Sequence, residues 1–223
     1  MTLDQRIEEA SQLIRGVYQA PHGRVCVTCS FQADCIAVVD LVIAQEPDIP
    51  VLFLETGYHF PETYAYRDQM TERLHLNLVN LSAKLTVPEQ ESQFGILYQN
   101  APDRCCGMRK VEPLFQGLAQ YGVWFTALRR EQAATRANLE PVDHFRLPDG
   151  KQLLKVSPLA AWTNADVWSY LKRRNIPVLP LYERGYTSIG CAPCTSLPLD
   201  PENLRSGRWA GRKLECGIHI SSE

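Results

Sequence analysis

Short apolar, β-rich runs alternating with stretches of helical periodicity predict an α/β fold, a mostly parallel sheet covered by helices on both faces and followed by an irregular C-terminal tail. Three observations carry that expectation. Residues 51–54, Val-Leu-Phe-Leu, are wholly apolar, as a strand buried on both faces requires. Residues 24–28 and 36–44 read as a strand and then a helix across one tight turn. The 223 residues lie within what one α/β core can organise, so a single domain, 1–223, is expected.

Taken in order, Ile7, Ala10, Leu13, Ile14 and Val17 recur at helical spacing, which predicts an amphipathic N-terminal helix near 3–17, within a 1–20 segment. The strand at 24–28, the helix at 36–44 and the strand at 51–54 follow. A turn and Pro61 open a helical pattern that runs to Leu74. Residues 76–79 predict a third strand and 124–128 a fourth. Leu147-Pro-Asp-Gly-Lys151, a turn signal between two short apolar stretches, predicts a hairpin within 145–156. Thr163-Asn-Ala-Asp166 resembles a capping box with Asp in place of Glu, ahead of a helix that runs to Arg174. From Pro177 onward prolines, glycines and arginines predict irregular structure, with 200–223 a mobile tail. There are no repeats or low-complexity tracts.

A net charge of −2 gives no global electrostatic case for nucleic acid or an anionic membrane as partner. The N-terminus is polar and mixed in charge, unlike a signal peptide, and no apolar run approaches the roughly 18 residues of a membrane span. A cytoplasmic protein is expected, with self-association left open. Eight cysteines in a reducing compartment point to metal ligands or redox residues rather than disulfides.

Three constellations could carry chemistry. Thr28-Cys-Ser-Phe-Gln-Ala-Asp34 forms a strand-to-helix turn, where Ser30 and helix-opening amides could receive a phosphate or sulfate. A capping serine is the plainer role, and the turn lacks the glycines and lysine of a Walker loop. Cys105-Cys106 and Cys191-Ala-Pro-Cys194 supply four thiolates, enough for an iron–sulfur cluster or a zinc ion, with packing in a core as the third alternative. Residues 204–213 carry Arg205, Arg208, Arg212 and Lys213 and no acid, and Cys216 follows. Neighbouring cations favour the nucleophilic thiolate and can hold an anion, and Gly217 leaves the backbone free beside it. Arg129, Arg130 and Arg136 follow the predicted fourth strand, at the sheet edge where open α/β folds bind ligands.

Cys-Cys-x-x-Arg-Lys-Val-Glu-Pro-Leu (105–114), Glu55-Thr-Gly-Tyr-His-Phe-Pro-Glu-Thr63, Ser188-Ile-Gly-Cys-Ala-Pro-Cys194 and Glu215-Cys-Gly-Ile-His219 resemble the assimilatory adenylylsulfate and phosphoadenylylsulfate reductases. The resemblance runs in order from Val25 to His219. It implies an adenine-nucleotide α-hydrolase-like sheet, thioredoxin as electron donor, and sulfite plus a nucleotide as products. It also implies Cys216 as nucleophile and Cys105, Cys106, Cys191 and Cys194 as ligands of a [4Fe–4S] cluster, with Lys110 linking cluster and substrate. Ser30, Arg136, Arg205, Arg208, Trp209 and His219 fall on positions resembling the substrate-binding set. The complete ligand set favours adenylylsulfate, since many phosphoadenylylsulfate reductases lack it; dual-specificity members keep the other substrate open. Gln32 and Asp34 depart from the usual glycine and glutamate of the phosphate loop, and Ala127 stands where a glycine is common. Two rival readings are a nucleotide-activating sulfurtransferase, whose glycine-rich loop is absent, and a non-catalytic zinc-binding module.

Overall fold

The computed structural model describes residues 1–20, 23–200, 203–211, 213 and 215–219. Its sheet contains β1 (Val25–Thr28), β2 (Pro50–Glu55), β3 (Asn77–Ser82), β4 (Val123–Phe125), β5 (Val142–Arg146) and β6 (Gln152–Val156) in the order β3-β2-β1-β4-β6-β5. Every pairing is parallel except β5 with β6. The helices are α1 (Leu3–Gln19), α2 (Ala33–Ile43), α3 (Pro61–Arg73), α4 (Val87–Phe94), α5 (Leu97–Asn100), α6 (Pro102–Cys106), α7 (Glu112–Leu118) and α8 (Asn164–Arg173).

The two-residue period of the strands divides the core. Val25, Val27, Val51, Phe53, Val123 and Phe125 point to one face, where they meet Ala10, Ile14 and Val17 of α1 and apolar residues of α2, α3 and α8. Cys26, Leu52 and Trp124 point to the other, against Leu114 and Leu118 of α7 and the hairpin residues Phe145, Leu147 and Leu153. Central strands covered twice explain the unbroken apolar run at 51–54. Capping boxes at Thr2/Gln5, Thr86/Glu89 and Thr163/Asp166 open α1, α4 and α8. Each side-chain cap contributes about 1 kcal/mol.

The predicted elements are present with shifted ends. β3 extends to Ser82 because it pairs residue for residue with β2, from Pro50↔Asn77 to Glu55↔Ser82. α2 begins at Ala33, directly after the turn, three residues earlier than its apolar pattern suggests. β4 covers only 123–125. The hairpin turn closes through Leu147 N–H to Lys151 O at 2.8 Å, with Gly150 at φ +86°. Residues 87–118, which carry no predicted element, are mostly helical, with a π-helical turn (Gly107–Val111) between α6 and α7. Among the described residues no helix is long and apolar enough to cross a membrane.

The chain runs outward from β1 to β2 and β3, then crosses to β4 on the other side of β1. That reversal opens a crevice at the carboxyl ends of β1 and β4, where open α/β sheets bind ligands.

Candidate active site

A cleft of about 460 Å³ lies at this switch point, within the usual range for small-molecule sites. It is lined by Ser30 from the β1–α2 turn, Lys110 from the π-helical turn, and Arg136 from a short turn after β4. The C-terminal segment adds Arg205, Arg208, Trp209, Cys216 and His219. Arg212 lies outside the described residues.

The β1–α2 turn is pegged by Phe31, fully buried at φ +59° and edge-on to Phe53 and Tyr66, with centroids 5.7 and 6.5 Å away. A left-handed phenylalanine costs about 1–2 kcal/mol, which its burial offsets. The Ser30 hydroxyl lies 3.2 Å from Cys35 Sγ and accepts from Gln32 Nε2 at 3.1 Å. Of the helix-opening amides, that of Ala33 is already engaged, donating to the Tyr182 hydroxyl at 3.0 Å. Asp34 accepts from Arg129 at 2.7 Å and Gln132 at 3.0 Å. Arg129 also donates to Trp162 O, so this buried arginine braces the loop. Arg130 donates to Leu139 O. Ala127 lines the cleft.

Glu215 is a contact that sequence reasoning missed, although an acid beside a cysteine in a basic segment was its signal. Its carboxylate accepts from Arg136 at 3.0 and 2.8 Å, from Thr135 at 3.3 Å and from Arg205 at 3.5 Å. Two of the arginines thus clasp the residue before Cys216. On the other side, Gly217 at φ +93° turns the chain, Ile218 packs on the second core, and the His219 ring stacks on Trp124 at 5.3 Å and 13°. Burial, then Arg136, Lys155 and Arg205, holds the His219 imidazole neutral, well below its ordinary range. We expect Glu215→Gln to raise the rate of Cys216 alkylation by iodoacetamide about tenfold, the loss of one charged hydrogen-bonded clasp. An unchanged labelling rate would show that the clasp does not restrain this cysteine.

Arg208 is buried, its guanidinium lies 4.5 Å from the Trp209 ring centroid, and its Nε has no hydrogen-bond partner. Gly190 makes room for it, since a Cβ there would overlap the guanidinium. Burial pushes its pKa down, opposed by the thiols of Cys191, Cys216, Cys194 and Cys106. Lys110 behaves oppositely: burial works to lower its pKa, but Cys191, Cys216 and Cys106 outweigh it and hold the ammonium above its usual value. Among the described residues neither cation has a carboxylate partner.

Cys105, Cys106, Cys191 and Cys194 surround a second, smaller void with Arg109, Lys110 and Trp209. The adjacent pair ends α6, and His59 bridges to Cys191 to bring in the other pair. Burial pushes the Cys105 thiol up to about 11, reinforced by Cys106, Cys191 and Cys194. Burial likewise raises Cys191, but Lys110, the Thr56 hydroxyl at 3.4 Å and Arg208 more than reverse it. No three His, Cys, Asp or Glu side chains among the described residues are placed to hold a single metal ion. The four cysteines, drawn from two chain segments, line one small void and offer the thiol donors that an iron–sulfur cluster takes. Cys26 and Cys29 belong to the core and burial raises both pKa values.

Residues 24–197 match the phosphoadenosine phosphosulfate reductase domain. The chain is 41% identical to an adenosine 5'-phosphosulfate reductase of Geobacillus kaustophilus, over 98% of this chain and 93% of that one. It is 46% identical to the enzyme so named in Rhodococcus opacus, over 82% of this chain and 74% of the other. Among solved structures, the phosphoadenylyl-sulfate reductase of Candida auris superposes with a TM-score of 0.70 at 22% identity, covering 87% of this chain and 96% of that one. Candida glabrata FMN adenylyltransferase gives 0.64 at 16% identity, over 99% and 75%. The last two likenesses concern the fold alone. The domain match and the identities together place this chain in the phosphoadenosine phosphosulfate reductase family.

Proposed function

We propose that this protein reduces adenylylsulfate to sulfite and AMP with electrons from thioredoxin, in the cytoplasmic assimilation of sulfate toward cysteine. The observation that carries the reading is Cys216 in the nucleotide-sized cleft with Lys110 and Arg208, two cations without carboxylate partners among the described residues. Relatives named adenosine 5'-phosphosulfate reductase support the choice of substrate.

In the reaction, the Cys216 thiolate attacks the sulfur of adenylylsulfate. The new S–S bond forms as the bond from sulfur to the bridging oxygen breaks, and AMP leaves with that electron pair. Lys110 and Arg208 stabilise the sulfonate oxygens, and Ser30 receives an anionic group of the nucleotide. A thioredoxin thiolate then attacks Cys216 Sγ, expelling sulfite and forming a mixed disulfide, which the second thioredoxin thiol resolves. The dithiol supplies both electrons. Cys105, Cys106, Cys191 and Cys194 would hold a [4Fe–4S] cluster. When bound, it supplies a fixed local charge and a cross-link between two distant chain segments.

Sulfite release measured in parallel with each nucleotide tests the reading. We expect adenylylsulfate to be turned over at least about tenfold more efficiently than its 3'-phosphorylated form, about 1.4 kcal/mol in transition-state binding. Equal or reversed efficiencies would assign the protein to the dual-specificity or phosphoadenylylsulfate group.

A further inference from the structure

Gln32 stands outside the steps above, yet its side chain joins two parts of the cleft. It is the N-cap residue of α2 but makes no side-chain capping hydrogen bond. Its Oε1 instead accepts the Ile189 N–H at 2.8 Å, and its Nε2 donates to Ser30 Oγ at 3.1 Å. Ile189 is 3% exposed, so without the carboxamide its amide would lose the acceptor that satisfies it. The segment continues into Gly190, against which Arg208 packs, and then Cys191. The carboxamide therefore ties the β1–α2 turn to the stretch that seats Arg208.

The direction of these bonds matters as much as their presence. The Ile189 N–H can only donate, which fixes Oε1 toward it and leaves Nε2–H to donate to Ser30. With Gln32 donating to one lone pair, the Ser30 proton goes either to the Cys35 sulfur, 3.2 Å away, or, when the Cys35 thiol donates instead, to an acceptor in the cleft. An anionic oxygen in the cleft is the acceptor that suits it.

We propose that Gln32 is a positioning residue, which turns the Ser30 hydroxyl into a hydrogen-bond donor toward the substrate anion and holds the Arg208 seat in register with it. The inference rests on the reading above, in which Ser30 receives an anionic group of adenylylsulfate. The test is a double-mutant cycle in the iron-loaded enzyme, with Gln32→Ala, Gln32→Met (which keeps side-chain volume) and Ser30→Ala. Each Gln32 variant should raise KM for adenylylsulfate about five- to tenfold, the worth of roughly one hydrogen bond, and leave kcat within about threefold. Because Gln32 acts through Ser30, Ser30→Ala/Gln32→Ala should bind no worse than the more impaired single variant. Hydrogen exchange at the Ile189 amide should be faster in both Gln32 variants, with iron content and melting temperature near wild type.

KM penalties that multiply in the double variant, or Gln32 variants with a wild-type KM beside an impaired Ser30→Ala, overturn the proposal alone. Ser30→Ala at a wild-type KM would instead remove the anion reading of the turn, and the proposal with it.

Discussion

Incubated with adenylylsulfate and no thioredoxin, the wild-type enzyme is expected to release about one AMP per active site and then stop, whereas Cys216→Ser releases none. Mass spectrometry should find an adduct of about 80 Da, the mass of SO₃, on the peptide bearing Cys216, and reduced thioredoxin should remove it. With all substrates present, Cys216→Ser should lose turnover by about a thousandfold or more, because a serine hydroxyl at neutral pH is a far poorer nucleophile than a thiolate. Of the other sulfurs, Cys35 also lines the cleft, its thiol held below its ordinary value by hydrogen bonds with Cys29 and Ser30. It is the rival that the site of the adduct must exclude; burial or position disfavours the rest. Cys26 is fully buried in β1, its thiol directed at Val123 O at 3.6 Å, and burial raises its pKa. Cys29 is buried beneath the turn, where burial again disfavours the thiolate. The four quartet thiols face their own void, whereas Cys216 lines the cleft. An adduct on Cys29 or Cys35, or undiminished turnover by Cys216→Ser, would place the chemistry on another sulfur.

The parts of this architecture that were legible in the sequence are those with a long period or a local signal. Val51–Leu54 is apolar without alternation because β2 is covered on both faces, and Leu147-Pro-Asp-Gly-Lys151 announces its turn by residue type. The region between β3 and β4 was illegible for a converse reason. α5 and α6 span four and five residues, too short for a 3.6-residue period to register, and Pro102 and Pro113 interrupt the pattern. The π-helical turn that carries Lys110 has no sequence period at all to reveal it.

Site residues divide along the same line. Those named from motifs, among them Ser30, Arg136 and Cys216, line one cleft although they are far apart in the chain. Residues whose meaning is a partner were not legible. Glu215 matters through Arg136 and Arg205, and Gln32 through Ser30 and Ile189. Arg129, which the sequence places at the sheet edge, is occupied by Asp34 and Trp162 O. A motif gives a residue's type and place, whereas these roles arise from long-range contacts that only the sheet topology creates.

Cys191→Ser should lose iron, acid-labile sulfide, colour and activity together, against about four iron and four sulfide per chain in wild-type protein purified without oxygen. The electrostatics single out this cysteine. Burial pushes the other three quartet thiols up, whereas Lys110, Thr56 and Arg208 draw Cys191 below its ordinary value despite its burial. It is thus the thiol of the four most ready to bind a metal as thiolate. Serine matches its size but brings a hard, protonated oxygen where the donor set calls for sulfur. The substitution also removes a principal negative neighbour from both Lys110 and Arg208, leaving two cations beside each other without carboxylate partners among the described residues. Affinity of the cleft for AMP should therefore change along with metal content, since two of its cations lose their fixed counter-charge. Cys216→Ser provides the contrast, because it should abolish the adduct and keep the iron. Stoichiometric zinc without sulfide in active protein, or full iron content in Cys191→Ser, would overturn the assignment of the quartet. A Cys191→Ser protein that lost its iron yet formed the Cys216 adduct at the wild-type rate would separate the two sites, and show that Lys110 and Arg208 hold their places without it.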